Sequence, residues 1–554
     1  MRNNIRVLLR SKILCLFLAL TSAFVIIEIA SIYGKPISVT EPLGNAMTLS
    51  IYLFISMTFL SYEYLRKFYN HGVSEVFLSL QSKRENVVSA FLLLSIYAML
   101  LSTIIAVLVI VEFLFYKIQD PHHEYIFHTL GNVFLNDYMI MRLGIFIGGS
   151  LAIMKNRIVT YSIMTLFTIA VSPFATSMAY LIDAASLDKK ARVGMAAFKS
   201  ISLFYILPRF DLKWMPRAEF GESLLPYRFF IIGFWSFLFV TVLLITRRYK
   251  KRKIVVSSFL CAAMLLGYLY PSSRMEQTFD AYRNGVPDSV YCSSGEYKEK
   301  IQKADYTIKE YDMDLSIRQN LSATMVMKVS KSLAEYHMTL YRKYKVLGVK
   351  DQDGNGLEYE QKGDYITVFN REKRKINEIS MTYRGSSADC YANYQGCYLP
   401  GYYMYYPRAG YMRVYDVNYG MIVPNFVDEN TKFKVRVSPG GKYISNLPKV
   451  DGVYVGTCDG FTLLKGFYKE QKLNDGNVMV YPYLDNFVLH DGKKKEALCW
   501  KENFDFSSEQ LKKDGISNTM IFMDLGTLDG EFLKAYGKNQ IFVNAGGSFY
   551  YSDQ

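Results

Sequence analysis

The stretch SYEYLRKFYNHGVSEVFLSLQSKRENVV, Ser61–Val88, is charged, yet it is wedged between two strongly apolar runs, Ala46–Leu65 and Val87–Tyr116. Runs of about 20 apolar residues cross a bilayer, so the side on which this segment lies orients the rest of the chain. Glu63, Arg66 and Lys67 extend the first run past its apolar part, and Asn70-His71-Gly72 breaks the helical pattern. VSEVFLSLQ then places Val73, Phe77 and Leu80 on one face of a short amphipathic helix. Basic SKRE follows, and the next apolar helix starts at Val87. The pattern is a surface-lying helix joined to two membrane helices, an element that a cytoplasmic partner can push.

Composition divides the chain in two. Its 554 residues are 51% hydrophobic and 15% aromatic, with a mean hydropathy of +0.07. That is too apolar for an ordinary soluble enzyme and too charged for a protein wholly in lipid. Seven candidate spans lie in the first half: Ile13–Tyr33, Ala46–Leu65, Val87–Tyr116, Tyr138–Met154, Val159–Ile182, Phe229–Thr246 and Ile254–Tyr270. The first is too long for a cleavable signal and lacks a small-residue cleavage site. Pro173 is expected to kink the fifth. No basic stripe interleaved with stacking aromatics occurs, so the formal charge of +14 is assigned to membrane topology and not to nucleic acid.

Loop charge sets the orientation. Arg2, Arg6, Arg10 and Lys12 precede the first span; Arg66, Lys67, Lys83 and Arg84 follow the second. Lys155 and Arg157 lie between the fourth and fifth, and RRYKKRK (Arg247–Lys253) between the sixth and seventh. All become cytoplasmic with the N-terminus inside, which leaves the Lys/Arg-poor loops Gly34–Leu43 and Ile118–Gly131 outside. Asp183–Arg228 fits less well, being external yet holding Lys189, Lys190, Arg192 and Lys199. Everything after Pro271 is then outside.

Glu63, Arg66, Gly72, Glu75, Leu78, Ser79, Leu80, Ser82 and Arg84, followed at once by a long apolar helix, form a pattern that resembles the coupling region of type-2 ABC exporter permeases. Gln81 stands where that family usually has proline. The resemblance implies that the six spans through Thr246 are the membrane domain (residues 1–253, with a seventh span at 254–272). It also implies that residues 66–86 dock in a groove of a nucleotide-binding subunit, which binds ATP and Mg and transmits its closure to the helices. The chain has no G-x-x-x-x-G-K-[ST]; PGGKY and YGKN lack the first glycine at the required spacing and the hydroxyl after the lysine. The ATPase is therefore expected on a separate cytoplasmic chain. One set of six spans encloses no path, so a second permease, identical or not, is expected. The plain alternative is a solvated loop whose positive charges anchor topology.

Ionisable residues inside spans are functional candidates by default. Glu28 lies deep in the first span, Arg142 in the fourth, and Glu112 near the outer end of the third. Glu28 paired with Arg142 would contribute to a polar substrate path. Otherwise Arg142 and Glu112 snorkel to an interface and Glu28 pairs internally.

From Arg274 onward the period becomes two. KFKVRV (Lys432–Val437) alternates Phe433, Val435 and Val437 with Lys434 and Arg436, and DYITVF, NVMVYPYL and YRKYKVLGV read alike between Gly/Asn-rich turns. This predicts an extracellular all-β sandwich or saddle domain, antiparallel, within 273–554. The fold class is thus multi-domain: a polytopic α-helical membrane domain followed by an all-β module. YTIKEYDMDLSI, the stretch LYRKYKVLGVKDQDGNGLEYEQKGDYITVF, ISMTYRGSS and YYMYYPRAGY together resemble the N-terminal β domain of gluzincin zinc aminopeptidases. Those enzymes need H-E-x-x-H. The nearest text here, HHEYIFH, separates His123 and His128 by five positions, which diverge by well over 100° on a helix. No metal site is assigned, a casual zinc site at His122, His123 and His128 being the exception left open. With neither ATPase nor peptidase motif, the chain is expected to be a transporter subunit and not an enzyme, its outer module a non-catalytic binder or spacer.

DQDGNGLEYEQK (Asp351–Lys362) begins like a calcium loop but has Lys362 at the twelfth position, and reads as a hairpin turn. The tyrosine run Cys390–Tyr415 is either core packing on alternate strand positions or a surface for peptides or sugars, with Tyr402, Tyr405 and Tyr406 as contacts. Cys390–Cys397 and Cys458–Cys499 are available disulfide pairs, leaving Cys292 odd. The leading expectation is a permease subunit of an ATP-driven exporter in a bacterial plasma membrane, in contact with lipid. The alternative is a membrane-tethered receptor or scaffold that captures an extracellular peptide or protein.

Overall fold

A computed structural model describes residues 10, 12–30, 37–38, 41–70, 83–115, 122–171, 206, 220–221, 226–246, 250–270, 299–387, 390–416, 421–472, 476–482, 488–489, 518–524 and 534–544. The chain folds as two compact units: residues 1–274 with 486–497, and residues 275–485 with 498–554.

The first unit contains seven described helices: α1 Lys12–Ala30, α2 Glu41–Asn70, α3 Lys83–Phe115, α4 His122–Leu151, α5 Arg157–Val171, α6 Pro226–Thr246 and α7 Lys251–Leu269. Three stretches, Val87–Val111, Arg228–Thr246 and Lys251–Leu269, are long and apolar enough to cross a membrane, and Leu14–Ile27 and Arg157–Val171 are shorter apolar helices. One expected boundary moves. His122–Gly131, expected as an outer loop, is the first part of α4. Hydropathy misses it because its apolar positions are those of an amphipathic stripe, Tyr125, Ile126, Leu130 and Val133, all buried. The fifth helix is described from Arg157 to Val171; Pro173 and the rest of its expected span lie outside the described residues.

Glycine sets the tightest helix contact. A Cβ on Gly148 would fall 2.1 Å from both the Thr58 carbonyl oxygen and Ser61 Oγ, and one on Gly144 would fall 2.9 Å from the Phe54 carbonyl oxygen. These small residues, four apart on α4, let its backbone lie against α2. Ser61 Oγ donates to the Thr58 carbonyl at 3.1 Å and lies 3.4 Å from that of Gly144. The same pairings (Phe54 with Gly144, Ser61 with Gly148) show α2 and α4 running parallel. Arg228 against Asn136 and Phe239 against Ser150 show that α6 runs parallel to them. Phe167 on Phe54 and Tyr161 on Phe59 set α5 antiparallel to α2, and Met264 on Gly233 with Phe230 on Gly267 set α7 antiparallel to α6. The ends of α2, α4 and α6 therefore share one end of the unit.

The second unit is built on a seven-stranded sheet ordered 449–450, 453–457, 432–438, 308–317, 321–329, 378–385, 345–351. Strict alternation explains its two faces: Tyr311, Met313, Leu315, Met325, Met327, Met381, Tyr383, Phe433 and Val435 are buried, while Asp312, Lys328, Lys434 and Arg436 face out. Four-stranded and three-stranded sheets cover the core, and a five-stranded sheet is formed by 468–472, 478–482, 520–524, 540–544 and 534–536. The module is not wholly antiparallel as expected. Lys432–Ser438 pairs parallel with Ile308–Ile317, and 478–482, 520–524 and 540–544 are mutually parallel. Alternation reports which face a residue takes and nothing about pairing direction.

Gly148→Ala should lower the stability of the detergent-solubilised chain by about 2 kcal/mol or more, since backbone must move to admit the methyl group. Gly131→Ala, in the same helix with nothing within 4 Å of its would-be Cβ, should be neutral or add up to about 1 kcal/mol. Thermal unfolding of the two variants side by side checks the contrast.

Candidate functional site

Glu63 and Arg66, both expected in the coupling region, sit on the last turns of α2 and bind the connection between α4 and α5. Tyr161 donates to Glu63 Oε1 at 2.5 Å, and Arg157 Nη2 lies 3.5 Å from Glu63 Oε2. Arg66 Nη1 donates to the Tyr62 hydroxyl at 2.7 Å and Nη2 to the Lys155 carbonyl at 3.4 Å. The Tyr161 ring packs on Phe59 and Tyr62 at 5.8 and 5.3 Å. Ion pairs this exposed contribute little by themselves; the aromatic contacts and the glycine seam hold the junction. Arg66, Lys155 and Arg157, grouped by loop charge, thus lie together. Gly72, Val73, Glu75, Phe77, Leu78, Ser79, Leu80 and Ser82 lie outside the described residues, as does the side chain of Arg84, whose backbone begins α3.

The ionisable residues buried in the helical unit are not those chosen from hydropathy. Arg142 is exposed, its guanidinium 5.8 Å from the Tyr138 ring and 5.5 Å from that of Phe146. It lies on the outside of α4; the Glu28 and Glu112 side chains lie outside the described residues. Buried instead, among the charged residues described, are Asp137 (0% exposed) and Arg228 (6%), with Arg228 Nη1 3.4 Å from Oδ1 of the buried amide of Asn136. Asp137 and Arg228 each stand one residue outside an expected span, at Tyr138 and Phe229. A hydropathy window trims such charges from a helix end, and only the burial of α4's first half reveals them.

In the β module, Tyr402, Tyr405 and Tyr406 are 0% exposed. They are core residues, which corrects their reading as extracellular contacts. Tyr383 donates to the Tyr405 carbonyl at 2.7 Å, Tyr311 to that of Pro407 at 2.9 Å and Tyr405 to that of Phe461 at 2.5 Å. At their centre is Arg408, also 0% exposed. Its guanidinium donates to the carbonyls of Asn425, Gly401 and Tyr403 and to the Tyr406 hydroxyl, and lies 4.7 Å over the Tyr406 ring. Tyr311, Tyr383 and Tyr405 bury well because each of these three hydroxyls reaches a backbone acceptor. Arg408 went unremarked because a lone arginine reads as surface from sequence.

Cys390, Cys397 and Cys458 are buried, and Cys397 and Cys458 are free thiols. The expected Cys390–Cys397 bond is excluded by register: Ala392 pairs with Cys397 and Tyr391 bonds Tyr398, which carries Cys390 past its partner. Cys499 lies outside the described residues. Burial pushes the Cys458 thiol up to about 12. The Asp351 carboxylate accepts from the backbone of Asp353 and Asn355 at 3.0 and 2.8 Å and from Arg374 Nη1 at 3.1 Å, a turn closed by a guanidinium. Among the described residues no group of three His, Cys, Asp or Glu is placed to hold a metal.

No protein-family model matches the chain, and no curated protein matches it. Solved structures do. Leukotriene A4 hydrolase from Saccharomyces cerevisiae aligns at 10% identity and TM-score 0.30 over 47% of this chain and 45% of that one. The M1 zinc metallopeptidase from Deinococcus radiodurans aligns at 10% identity and TM-score 0.30 over 45% and 62%. The chain thus spans less than two thirds of either. One expectation is corrected: the structures it resembles are enzymes by name, so the exclusion of enzymatic activity is withdrawn. A likeness at this TM-score assigns this chain no activity.

Arg408→Ala should destabilise the β module by about 3–5 kcal/mol, because it leaves buried carbonyls without donors. Burial also pushes the Tyr406 phenol up to about 12 against the downward pull of Arg408, from an ordinary 10.0. The folded state holds that proton longer than the unfolded one, so this stabilisation is present below pH 10 and is lost as pH rises towards 12. Absorbance at the phenolate band should show exposed tyrosines ionising first, with the Tyr406 cluster following only on unfolding.

Proposed function

We propose that the chain is a membrane-spanning permease subunit of an ATP-driven ABC exporter, working with a separate cytoplasmic ATPase that holds ATP and Mg. In this reading the elbow at residues 66–86 receives the ATPase's movement. One observation carries it: α2, the helix that enters the elbow, is seated on α4 through Gly144 and Gly148 and tied at Glu63 and Arg66 to the α4–α5 connection. A displacement delivered to Val73–Arg84 therefore reaches α2, α4 and α5 together. Three stretches able to cross a bilayer support a membrane location; in this reading it is a bacterial plasma membrane, with the β module outside.

A second permease, the same chain or another, completes the path. Movement of the coupled helices gives alternating access, or lateral expulsion of a hydrophobic or peptide cargo. The β module presents its charged sheet face to cargo or to an extracellular partner.

Glu75→Ala and Arg84→Ala should abolish cargo-stimulated ATP hydrolysis by the reconstituted pair while insertion and expression stay normal. A pull-down in mild detergent should recover a P-loop ATPase. Undiminished stimulation in both variants would sink the coupling role.

A further inference from the structure

The outward face of the seven-stranded sheet carries a charge imbalance that nothing above uses. Cross-strand register places Ser438, Ser316, Ser322, Arg384 and Lys345 in one row across five neighbouring strands: 432–438, 308–317, 321–329, 378–385 and 345–351. They share the face of Asp312, Lys328 and Lys434, since each stands directly opposite, or an even number of positions from, a residue of that face. Lys345 and Arg384 are cross-strand partners and both are exposed. Like charges placed directly opposite cost a sheet stability, and neither cation makes an ion pair or ring contact among the described residues. The acids of the same face are engaged elsewhere: Glu310 binds Lys328 at 3.0 Å, Asp312 binds Arg436 at 2.5 Å, and Asp314 binds the same guanidinium. Glu378 shares a strand with Arg384 but stands at its opposite end, about 20 Å away.

The neighbouring row adds donors and room. The Thr324 and Thr382 hydroxyls lie 3.4 Å apart, and Gly348, opposite Thr382, has nothing within 4 Å of its would-be Cβ. Two cations and a bank of hydroxyls thus lie open on a flat strip with no carboxylate of their own. Five strands span about 19 Å, a distance that about six residues of extended chain cross. A guanidinium and an ammonium suit carboxylates, and serine hydroxyls pair with either peptide carbonyls or N–H groups. No aromatic side chain stands on the row to stack a base, which disfavours nucleic acid. We propose that this row docks an extended acidic peptide, its carboxylates on Arg384 and Lys345 and its backbone along Ser322, Ser316 and Ser438. The inference deepens the reading in which the sheet face meets cargo or an extracellular partner, by giving that partner's chemistry. The surface itself stands without the ATPase.

The test uses the full chain in mild detergent at low ionic strength. Its probe is a fluorescein-labelled peptide of about eight residues alternating glutamate and serine, followed by anisotropy. Arg384→Gln and Lys345→Gln should each weaken binding about threefold, and together about tenfold. The thermal midpoint should hold or rise in both, because each relieves the like-charge opposition. Lys375→Gln, the same change of charge beyond the far end of strand 378–385, should leave binding as it was. Undiminished binding in the double variant overturns the proposal, as does an equal loss in Lys375→Gln or equal binding of an all-serine peptide. A falling thermal midpoint alongside lost binding assigns the two cations a structural role and overturns it too. Displacement of the peptide by polyphosphate or by phosphatidylglycerol vesicles at lower charge concentration overturns the peptide in favour of another polyanion. If the peptide binds as expected but does not alter ATP hydrolysis by the reconstituted pair, the docking surface is supported and the reading of this face as a cargo site of an exporter falls.

Discussion

The approach of two helix backbones at Gly144 and Gly148 is the constraint on which the helical unit depends. Without side chains at those positions α4 comes against α2 closely enough for Ser61 to reach a carbonyl across the seam. In lipid there is little hydrophobic drive to hold helices together, so close packing and hydrogen bonds must do it. Thr241 and Ser257, whose hydroxyls meet at 2.8 Å, hold α6 to α7 by the same means. The aromatic cluster of Phe167, Trp235 and Phe239 fills the space between α5 and α6. In the exporter reading proposed above, a rigid seam matters because a force applied at one end of α2 is not dissipated by a sliding contact.

The β module solves a different problem. A sheet in water buries one face, and here that face is crowded with tyrosine, methionine and valine. The phenols in that core need acceptors, and the loop 401–407 supplies two, the Tyr405 carbonyl to Tyr383 and the Pro407 carbonyl to Tyr311. Arg408 gathers that loop: three carbonyls converge on one guanidinium. Gln540, fully buried, ties the five-stranded sheet to the same region by donating to Asp459 at 2.8 Å and receiving the Thr462 hydroxyl. Buried polar groups with this many partners fix one arrangement among many of similar apolar content.

Much of this was legible in the sequence. Apolar runs located the helices, alternation located the strands and their inward residues, and loop charge grouped Arg66 with Lys155 and Arg157. What escaped did so for physical reasons. Hydropathy averages over a window, so it trimmed the amphipathic start of α4 and with it Asn136 and Asp137. It promoted Arg142, which has the right composition around it but points outward. Strand alternation cannot give pairing direction or register, which is why the Cys390–Cys397 bond was expected and is not formed. Tyrosine's two-sided chemistry left Tyr402, Tyr405 and Tyr406 open to either reading until burial decided it.

The central claim is that the elbow and the β module lie on opposite faces of one membrane, with mechanical work entering at the elbow. Single cysteines at Ser74 and Lys449, labelled from each side of sealed, oriented vesicles, address this directly. The account predicts that position 74 reacts only from the cytoplasmic side and position 449 only from the outside. Reaction of both from the same side would contradict it, however well the helices pack.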